Sequence, residues 1–357
     1  MTVTPLDAFA QQVQYCEAND TPVTGAICKA LIAALDETTP VGRRVLGWQG
    51  NATKDALPLR LVGGIHNAWR KGDAPELKSL FEDKIVDKAA MQAFLVRASD
   101  DLMPWLDGPP QTNEPGRSAQ LMLGLLEIAA RHGPKLEILE IGSSAGLNLL
   151  IDRFHIDLNG VTVGPKNSTV RLKPEWRGPP PPNVPIEIVS TRGMDVAPID
   201  ATDPAQADRL LAYTWYDQPQ RAERVAAAIA MQNEKPIRMD KGDAADWVEA
   251  RLAEPQPEGV TRVLMHSIVW QYVSAESQAR VTAAMEAAGA KATAEQPLAW
   301  LRVEANRIVH RHEVTLRSWP GHDQSMLIGL SHAHGFWAER LDPPVPGDIP
   351  AAANKLG

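Results

Sequence analysis

Apolar positions in the first hundred residues recur at helical spacing. Leu6, Phe9, Val13 and Cys16 fall on one face of a turn-by-turn pattern, and Ile27, Leu31 and Leu35 form the next stripe. Thr21-Pro22 has the form of an N-cap followed by proline at the first helical position. The pattern continues through 57–69 and 77–94, with Gly and Pro breaks between. These stripes predict an all-α N-terminal region over residues 1–110, closed by the loop Asp107-Gly-Pro-Pro-Gln.

Beyond it the period changes. A helix is predicted over 118–131, with Leu121, Met122, Leu125 and Leu126 inward and Gly133-Pro134 as its stop. Residues 136–141 read as a strand, Gly142-Ser-Ser-Ala-Gly146 as a turn and 147–154 as a helix. Strands at 186–190, 237–239, 262–269 and 297–303 then alternate with helices at 205–231, 246–252 and 276–287. Such alternation predicts an α/β domain over 111–357 with a mostly parallel sheet covered on both faces. The last two strands, 313–318 and 325–331, are joined by a short Trp-Pro-Gly-His-Asp turn, so this pair must be antiparallel. Residues 157–176, with Val161, Val163, Val170 and Leu172 in alternation, read as an inserted hairpin made locally basic by Lys166, Arg171, Lys173 and Arg177. A polyproline spacer, Arg177-Gly-Pro-Pro-Pro-Pro-Asn, follows as a surface arm.

Composition narrows the function. The 357 residues carry a net charge of −8, which disfavours general binding to nucleic acid. The two cysteines, Cys16 and Cys28, sit in apolar stripes, build no disulfide framework and have no zinc spacing. The N-terminus lacks the basic and apolar segments of a signal peptide, and no run has the length of a membrane span. The expectation is a soluble cytoplasmic protein with a small-molecule substrate.

The chemistry concentrates in Glu140-Ile-Gly-Ser-Ser-Ala-Gly-Leu. A strand that ends in glycines and enters a helix brings backbone N–H groups and the positive end of a helix dipole close to a ligand. Glu140 would accept from a ligand amine or hydroxyl, while Gly142 and Gly146 permit the tight turn. The segment resembles the glycine-rich E/D-x-G-x-G-x-G loop of S-adenosylmethionine-dependent methyltransferases, with Ser144 in place of the middle glycine and Ser143 beside it. The same residues also fit G-x-S-x-G, the nucleophile elbow of α/β-hydrolases. Ser144 would then be the nucleophile, Asp243 the orienting acid and His332 or His334 the base. Glu140 at the strand end and the lack of a nearby oxyanion loop count against that reading.

Four stretches, QTNEPGRSAQL at 111–121, LEIGSSAGLNLLIDRF at 139–154, WYDQPQRAERV at 215–225 and VLMHSIVWQYVS at 263–274, together with the ending HDQSMLIGLSHAHGFWAERL, resemble a bacterial family of unknown function with a methyltransferase-like domain. The resemblance implies a Rossmann-like methyltransferase-type sheet, mostly parallel with an antiparallel end, and S-adenosylmethionine as cofactor. On the methyltransferase pattern, Asp195 after the second strand would hold the ribose hydroxyls and Asp243 after the third would accept from the adenine amine, while Asp243 reads equally as only the N-cap of the helix that follows. The fourth strand ends in His266-Ser267, which puts His266 forward as a general base, with Gln271 and Tyr272 lining the same mouth. The polar loop before the 118–131 helix offers Asn113, Glu114 and Arg117 to the pocket, Arg117 as a carboxylate clamp.

His310/His312 and His332/His334 are i, i+2 pairs whose rings would share one side of a strand, but no motif supports a metal, and none is expected. Ten tryptophans are scattered and read as core anchors. The sequence therefore points to methyl transfer from S-adenosylmethionine to a small acceptor. The alternatives are a serine hydrolase using Ser144 and a non-catalytic S-adenosylmethionine-binding protein. Neither the acceptor nor the oligomeric state is written in these residues.

Overall fold

The computed structural model describes residues 4–309 and 311–348. The chain divides into two units, one comprising residues up to Thr112 with Asp203–Ala226, the other Asn113–Thr202 with the residues from Ala227 onward.

The first unit contains the expected N-terminal helices, among them Pro5–Ala18, Pro22–Ala34, Leu57–Lys71 and Lys88–Arg97. Their inward stripes meet in one core around Phe9, Ile27, Leu31, Leu61, Ile65 and Phe94. Two details depart from the sequence reading. Thr21 does not cap its helix; its hydroxyl donates to the Cys16 carbonyl at 3.2 Å. The cap comes from Asp217, whose carboxylate accepts the Val23 and Thr24 N–H groups at 2.8 and 3.1 Å. The single helix expected over 205–231 is also broken, into Pro204–Ala212 and Pro219–Glu234. Pro219 disfavours helical backbone at the residue before it. The intervening turn is what delivers Asp217 to its distant helix.

The second unit holds the strands β1 (Lys135–Ile141), β2 (His155–Leu158), β3 (Val161–Val163), β4 (Arg171–Leu172), β5 (Glu175–Arg177), β6 (Glu187–Asp195), β7 (Met239–Lys241), β8 (Thr261–Ser267), β9 (Leu298–Asn306), β10 (Arg311–Trp319), β11 (His322–Ser331) and β12 (Trp337–Pro346). Nine of these described strands form one sheet in the order β5-β12-β11-β10-β9-β8-β1-β6-β7. The run β7-β6-β1-β8-β9 is parallel throughout, as is the β12–β5 contact, so the sheet is mostly parallel. β10 and β11 are antiparallel as their short turn requires, within a meander that runs from β9 to β12. β12 was not anticipated; its Asp342-Pro343-Pro344 reads as a loop, and its partner β5 has three residues. Proline is tolerated near the edge of a sheet, where ladder donors are not all needed.

The 157–176 insertion is not a single hairpin. β2 and β3 pair through Asn159-Gly160, both at positive φ, in a tight hairpin turn. Val170 and Leu172 belong to a separate crossing, β4 alongside β2, while β5 leaves for the large sheet. Helix Ser118–His132 covers one face of the sheet: its Gly124 lies so close to Leu301 that a Cβ would approach Leu301 Cδ1 to 2.2 Å. Helices Ala244–Leu252 and Ala275–Gly289 cover the other face over Leu298, Trp300 and Trp319. From β1 the chain steps to β6 and β7 on one side, then crosses back to β8 on the other. This reversal makes the carboxyl ends of β1 and β8 the topological switch point of the sheet, the place where open α/β sheets bind ligands.

Candidate functional site

Glu140 stands near the carboxyl end of β1 and is buried, with 1% of its surface exposed. Burial pushes its carboxyl up to about 8, against the pull of the Ser143 hydroxyl and the Arg117 guanidinium; Asp195 adds to the rise. Among the described residues its Oε2 has no hydrogen-bond partner, and neither has Ser144 Oγ or Asn148 Nδ2 in the loop and turn that follow. Three unsatisfied polar atoms on buried side chains within nine residues are unusual, because each forgoes hydration without a protein partner in return.

The loop itself is held by its own side chains. Gly142 takes φ +66 and lies against Val269, whose Cγ2 would stand 2.2 Å from an added Cβ. Ser144 takes the left-handed region at φ +55, where a side chain is strained, and Gly146 does so at +72. The Ser143 N–H donates to the Met194 carbonyl at 3.0 Å and the Ser144 N–H to Asp195 Oδ2 at 2.9 Å. Asp195, at the end of β6, also accepts the Ala197 N–H at 2.9 Å, and its carbonyl takes the Gly242 N–H at 3.1 Å. Asp195 thus ties together the ends of β1, β6 and β7. Asp243 follows β7 and caps helix Ala244–Leu252 through the Ala245 N–H at 2.8 Å, while its other oxygen accepts from the Ser277 hydroxyl at 3.0 Å.

No α-helix follows this loop. Leu147–Arg153 is a 3-10 helix of seven residues, and the chain must enter β2 at His155. A short 3-10 segment thus stands where the sequence predicts an α-helix at the glycine turn. The Leu147 N–H that would have faced a ligand is instead bonded to Asn113 Oδ1 at 2.7 Å. Asn113, Glu114 and Arg117 are all buried here. Glu114 caps its own short turn through the Gly116 N–H at 2.9 Å, and Arg117 Nε donates to the Ala333 carbonyl at 3.0 Å. Ser118 Oγ donates to Asn148 Oδ1 at 2.8 Å, fixing the amide so that its Nδ2 is the unpartnered end.

His266 lies fully buried near the end of β8. Its Nδ1 bonds Glu304 at 2.7 Å, its Nε2 accepts from the Trp300 indole at 3.1 Å, and its ring stacks on Trp270 at 5.0 Å. Burial holds its pKa below the usual histidine range despite the Glu304 carboxylate. The Trp300 indole can only donate, so Nε2 carries the lone pair and Nδ1 the proton. With both nitrogens engaged, His266 has no lone pair to offer an acceptor. The arrangement is that of a hydrogen-bonded core residue, not of a base open to an acceptor. Glu304 Oε1 also accepts the Val269 and Trp270 N–H groups at 3.1 and 3.2 Å, which secures the turn after β8 where Ile268 takes φ +53. Glu304 and Trp300 escaped sequence reasoning; the available signal was a charged residue at alternate positions of a central strand, Arg302 and Glu304. Ser267 is buried beside this turn, Gln271 accepts from Arg307, and Tyr272 is 76% exposed at the rim.

His332 and His334 lie in the turn between β11 and β12 rather than on a strand, with ring centroids 5.4 Å apart and the His334 N–H donating to His332 Nδ1 at 3.0 Å. His310 lies outside the described residues, which leaves its proposed pairing with His312 without a structural account. Among the described residues no three His, Cys, Asp or Glu side chains converge as a metal site, and no helix is long and apolar enough to cross a membrane.

No curated protein and no solved structure matches this chain. A family described as "Uncharacterized protein conserved in bacteria (DUF2332)" matches residues 6–340, nearly the whole length, and the chain belongs to that family.

Proposed function

We propose that this protein binds S-adenosylmethionine at the carboxyl ends of β1, β6 and β7 and transfers its methyl group to a small acceptor. The observation that carries the reading is the row of acids Glu140, Asp195 and Asp243 at the ends of three laterally adjacent parallel strands, next to the point where strand order reverses. When bound, the cofactor supplies an electrophilic methyl on a sulfonium. The residues suit its other groups. Glu140 Oε2, buried and unpartnered, accepts from an ammonium and regains its charge by doing so. Asn148 Nδ2 donates to a carboxylate beside that ammonium. Asp195 and Asp243 keep lone pairs for ribose hydroxyls and an exocyclic amine. The rest of catalysis in this class is alignment of acceptor and methyl in a site that excludes water, so no dedicated base is required.

Isothermal titration with S-adenosylmethionine and S-adenosylhomocysteine tests the reading. Saturable binding that Glu140→Gln weakens at least tenfold supports it; a folded protein that binds neither ligand sinks it. Binding without methyl transfer to any small-molecule pool would leave a non-catalytic sensor.

A second reading has one observation in its favour. Ser144, central in G-x-S-x-G, takes the left-handed backbone of a nucleophile elbow. Labelling by a fluorophosphonate probe that Ser144→Ala abolishes would establish a serine hydrolase. Among the described residues Ser144 Oγ has no hydrogen-bonding histidine, which places this reading second.

A further inference from the structure

Away from the acid row, the sheet face beneath helix Ser118–His132 ends in a second polar corner. His312 at the start of β10 and Ser331 at the end of β11 are directly opposed in the antiparallel ladder, so their side chains leave from the same face. That face is the one the helix covers. Val314, two residues along from His312, pairs with Gly329, and an added Cβ on Gly329 would stand 2.9 Å from Leu123 of the helix. One turn earlier, Gln120 Nε2 donates to the His332 carbonyl at 3.2 Å, and one turn before that Arg117 Nε donates to the Ala333 carbonyl at 3.0 Å. These two bonds clamp the β11–β12 turn onto the helix. The contact is close enough that a Cβ on Gly335 would approach the Gly116 carbonyl to 2.2 Å.

Two atoms at this corner lack partners among the described residues: Ser331 Oγ, on a residue 3% exposed, and Gln120 Oε1, on a residue with no exposed surface. A hydroxyl donor and an amide acceptor, both buried and idle, stand beside an imidazole and within electrostatic reach of a guanidinium. Apolar contact satisfies neither.

We infer that Arg117, Gln120, His312 and Ser331 form a binding site for an anionic group, a carboxylate or a phosphate, on a small ligand. Ser331 Oγ–H and the His312 ring donate to the anion, Arg117 supplies the positive field, and Gln120 Oε1 accepts from a hydroxyl on or beside the anionic group. The Arg117 field also reaches Glu140, but none of the three acids of the strand row takes part in holding the anion.

The electrostatics agree. Burial pushes His312 down to about 4, and the Arg117 and His332 charges push the same way. Glu304 on β9 acts in the opposite sense, while Arg311 and Glu313, its strand neighbours, bond each other at 2.7 Å. The corner is thus a positive field with a neutral imidazole in it. An arriving anion offsets the Arg117 charge and raises the His312 pKa, and the neutral ring already has one N–H to donate to it.

The test uses the wild-type protein with labelled histidine, titrated with inorganic phosphate and separately with acetate at a series of pH values from about 4 to 7, against sodium chloride at matched ionic strength. Saturable shifts of the His312 ring signals are expected, with its apparent pKa raised by about one unit or more in the bound state. Ser331→Ala, a change of one atom, should weaken the affinity about threefold to tenfold. Saturation by phosphate alone assigns a phosphate ligand, and saturation by both anions a carboxylate-compatible one. A response that chloride reproduces, no saturable response to either anion, or an unchanged affinity in Ser331→Ala overturns the inference. Titrating S-adenosylmethionine into the same sample separates the two proposals, because either can succeed while the other fails.

Discussion

Replacing Glu140 with glutamine should make the ligand-free protein more stable, and by an amount that depends on pH. The carboxyl moves from its ordinary 4.5 to about 8 on folding, chiefly because it is fully buried. Between those values the folded chain holds a proton that the unfolded chain has released. Stability is therefore greatest below about 4.5 and declines as pH rises, with the whole loss reached above 8. One pKa unit corresponds to about 1.4 kcal/mol, so the wild type forgoes about 3 kcal/mol at pH 7 and about 5 kcal/mol above pH 8. Glutamine has nearly the same shape and does not titrate. Denaturant unfolding of both proteins should give matching stabilities near pH 4.5 and a gap of about 3 kcal/mol in favour of Glu140→Gln at pH 7. A gap that stays constant across the range, or a variant less stable at pH 7 than at pH 4.5 relative to wild type, would refute the claim that burial of this carboxyl outweighs the pull of Arg117. The sign matters for function. A residue whose removal stabilises the empty protein is retained for what it binds.

Three further perturbations test other parts of the structure. Glu304→Ala removes the acceptor of three bonds, from His266, Val269 and Trp270, and should cost about 3–5 kcal/mol in urea unfolding, with Glu304→Gln losing markedly less because an oxygen acceptor remains. Gly142→Ala combines a backbone at φ +66 with a 2.2 Å approach to Val269 Cγ2; a loss of about 3 kcal/mol is expected, part of it restored by Val269→Ala in the double mutant. His66 is lowered to about 4 by burial, its Nδ1 facing the Ala212 carbonyl at 3.2 Å, so the unfolded chain takes up its proton near 6.5 and the folded chain does not. Stability is lost as pH falls through that window, about 3 kcal/mol in all, and His66→Leu should remove this acid-side decline in thermal unfolding measured from pH 6.5 to 4.

Periodicity made the elements legible where one face of a helix or strand was buried. The stripe through Leu6, Phe9 and Val13 is core in the first unit, and the strand run at 136–141 is β1. Periodicity is blind to long-range partners. Thr21-Pro22 carries a proper capping signature, yet the donors of that helix go to Asp217, 194 residues away from Val23. Likewise loop capping was legible for the polar stretch with Asn113 and Glu114, but not that Asn113 reaches the Leu147 N–H across the glycine turn. The 3-10 geometry after Gly146 depends on the chain's need to reach β2 at once, which no local propensity records. His266 looked like a base because its position in the pattern was right; only the fold brings Glu304 and Trp300 to its two nitrogens. Ser331 and Gln120 carried no motif at all, and their interest lies wholly in what stands next to them.

These assignments bear on what kind of molecule the β1 loop reads. A glycine-rich turn can recognise a phosphate by offering a row of free backbone N–H groups. Here the N–H groups of Ser143, Ser144, Gly146 and Leu147 are bonded to Met194, Asp195, Ser143 and Asn113. The loop is preorganised, and these four backbone donors are already used. What it presents is side-chain chemistry: an acid that lacks a donor, an amide nitrogen that lacks an acceptor, and a hydroxyl that can serve as either. That set suits an ammonium with a carboxylate beside it far better than a phosphate. An anion without an accompanying cation finds its donors instead at Ser331, His312 and Arg117. On the two proposals the β1 loop and the corner, which lie at the same carboxyl edge of one sheet face with β8 and β9 between their strands, take opposite charges, which limits the ligands that fit both to small molecules with a cationic amine and a separate anionic group, or to two ligands held side by side.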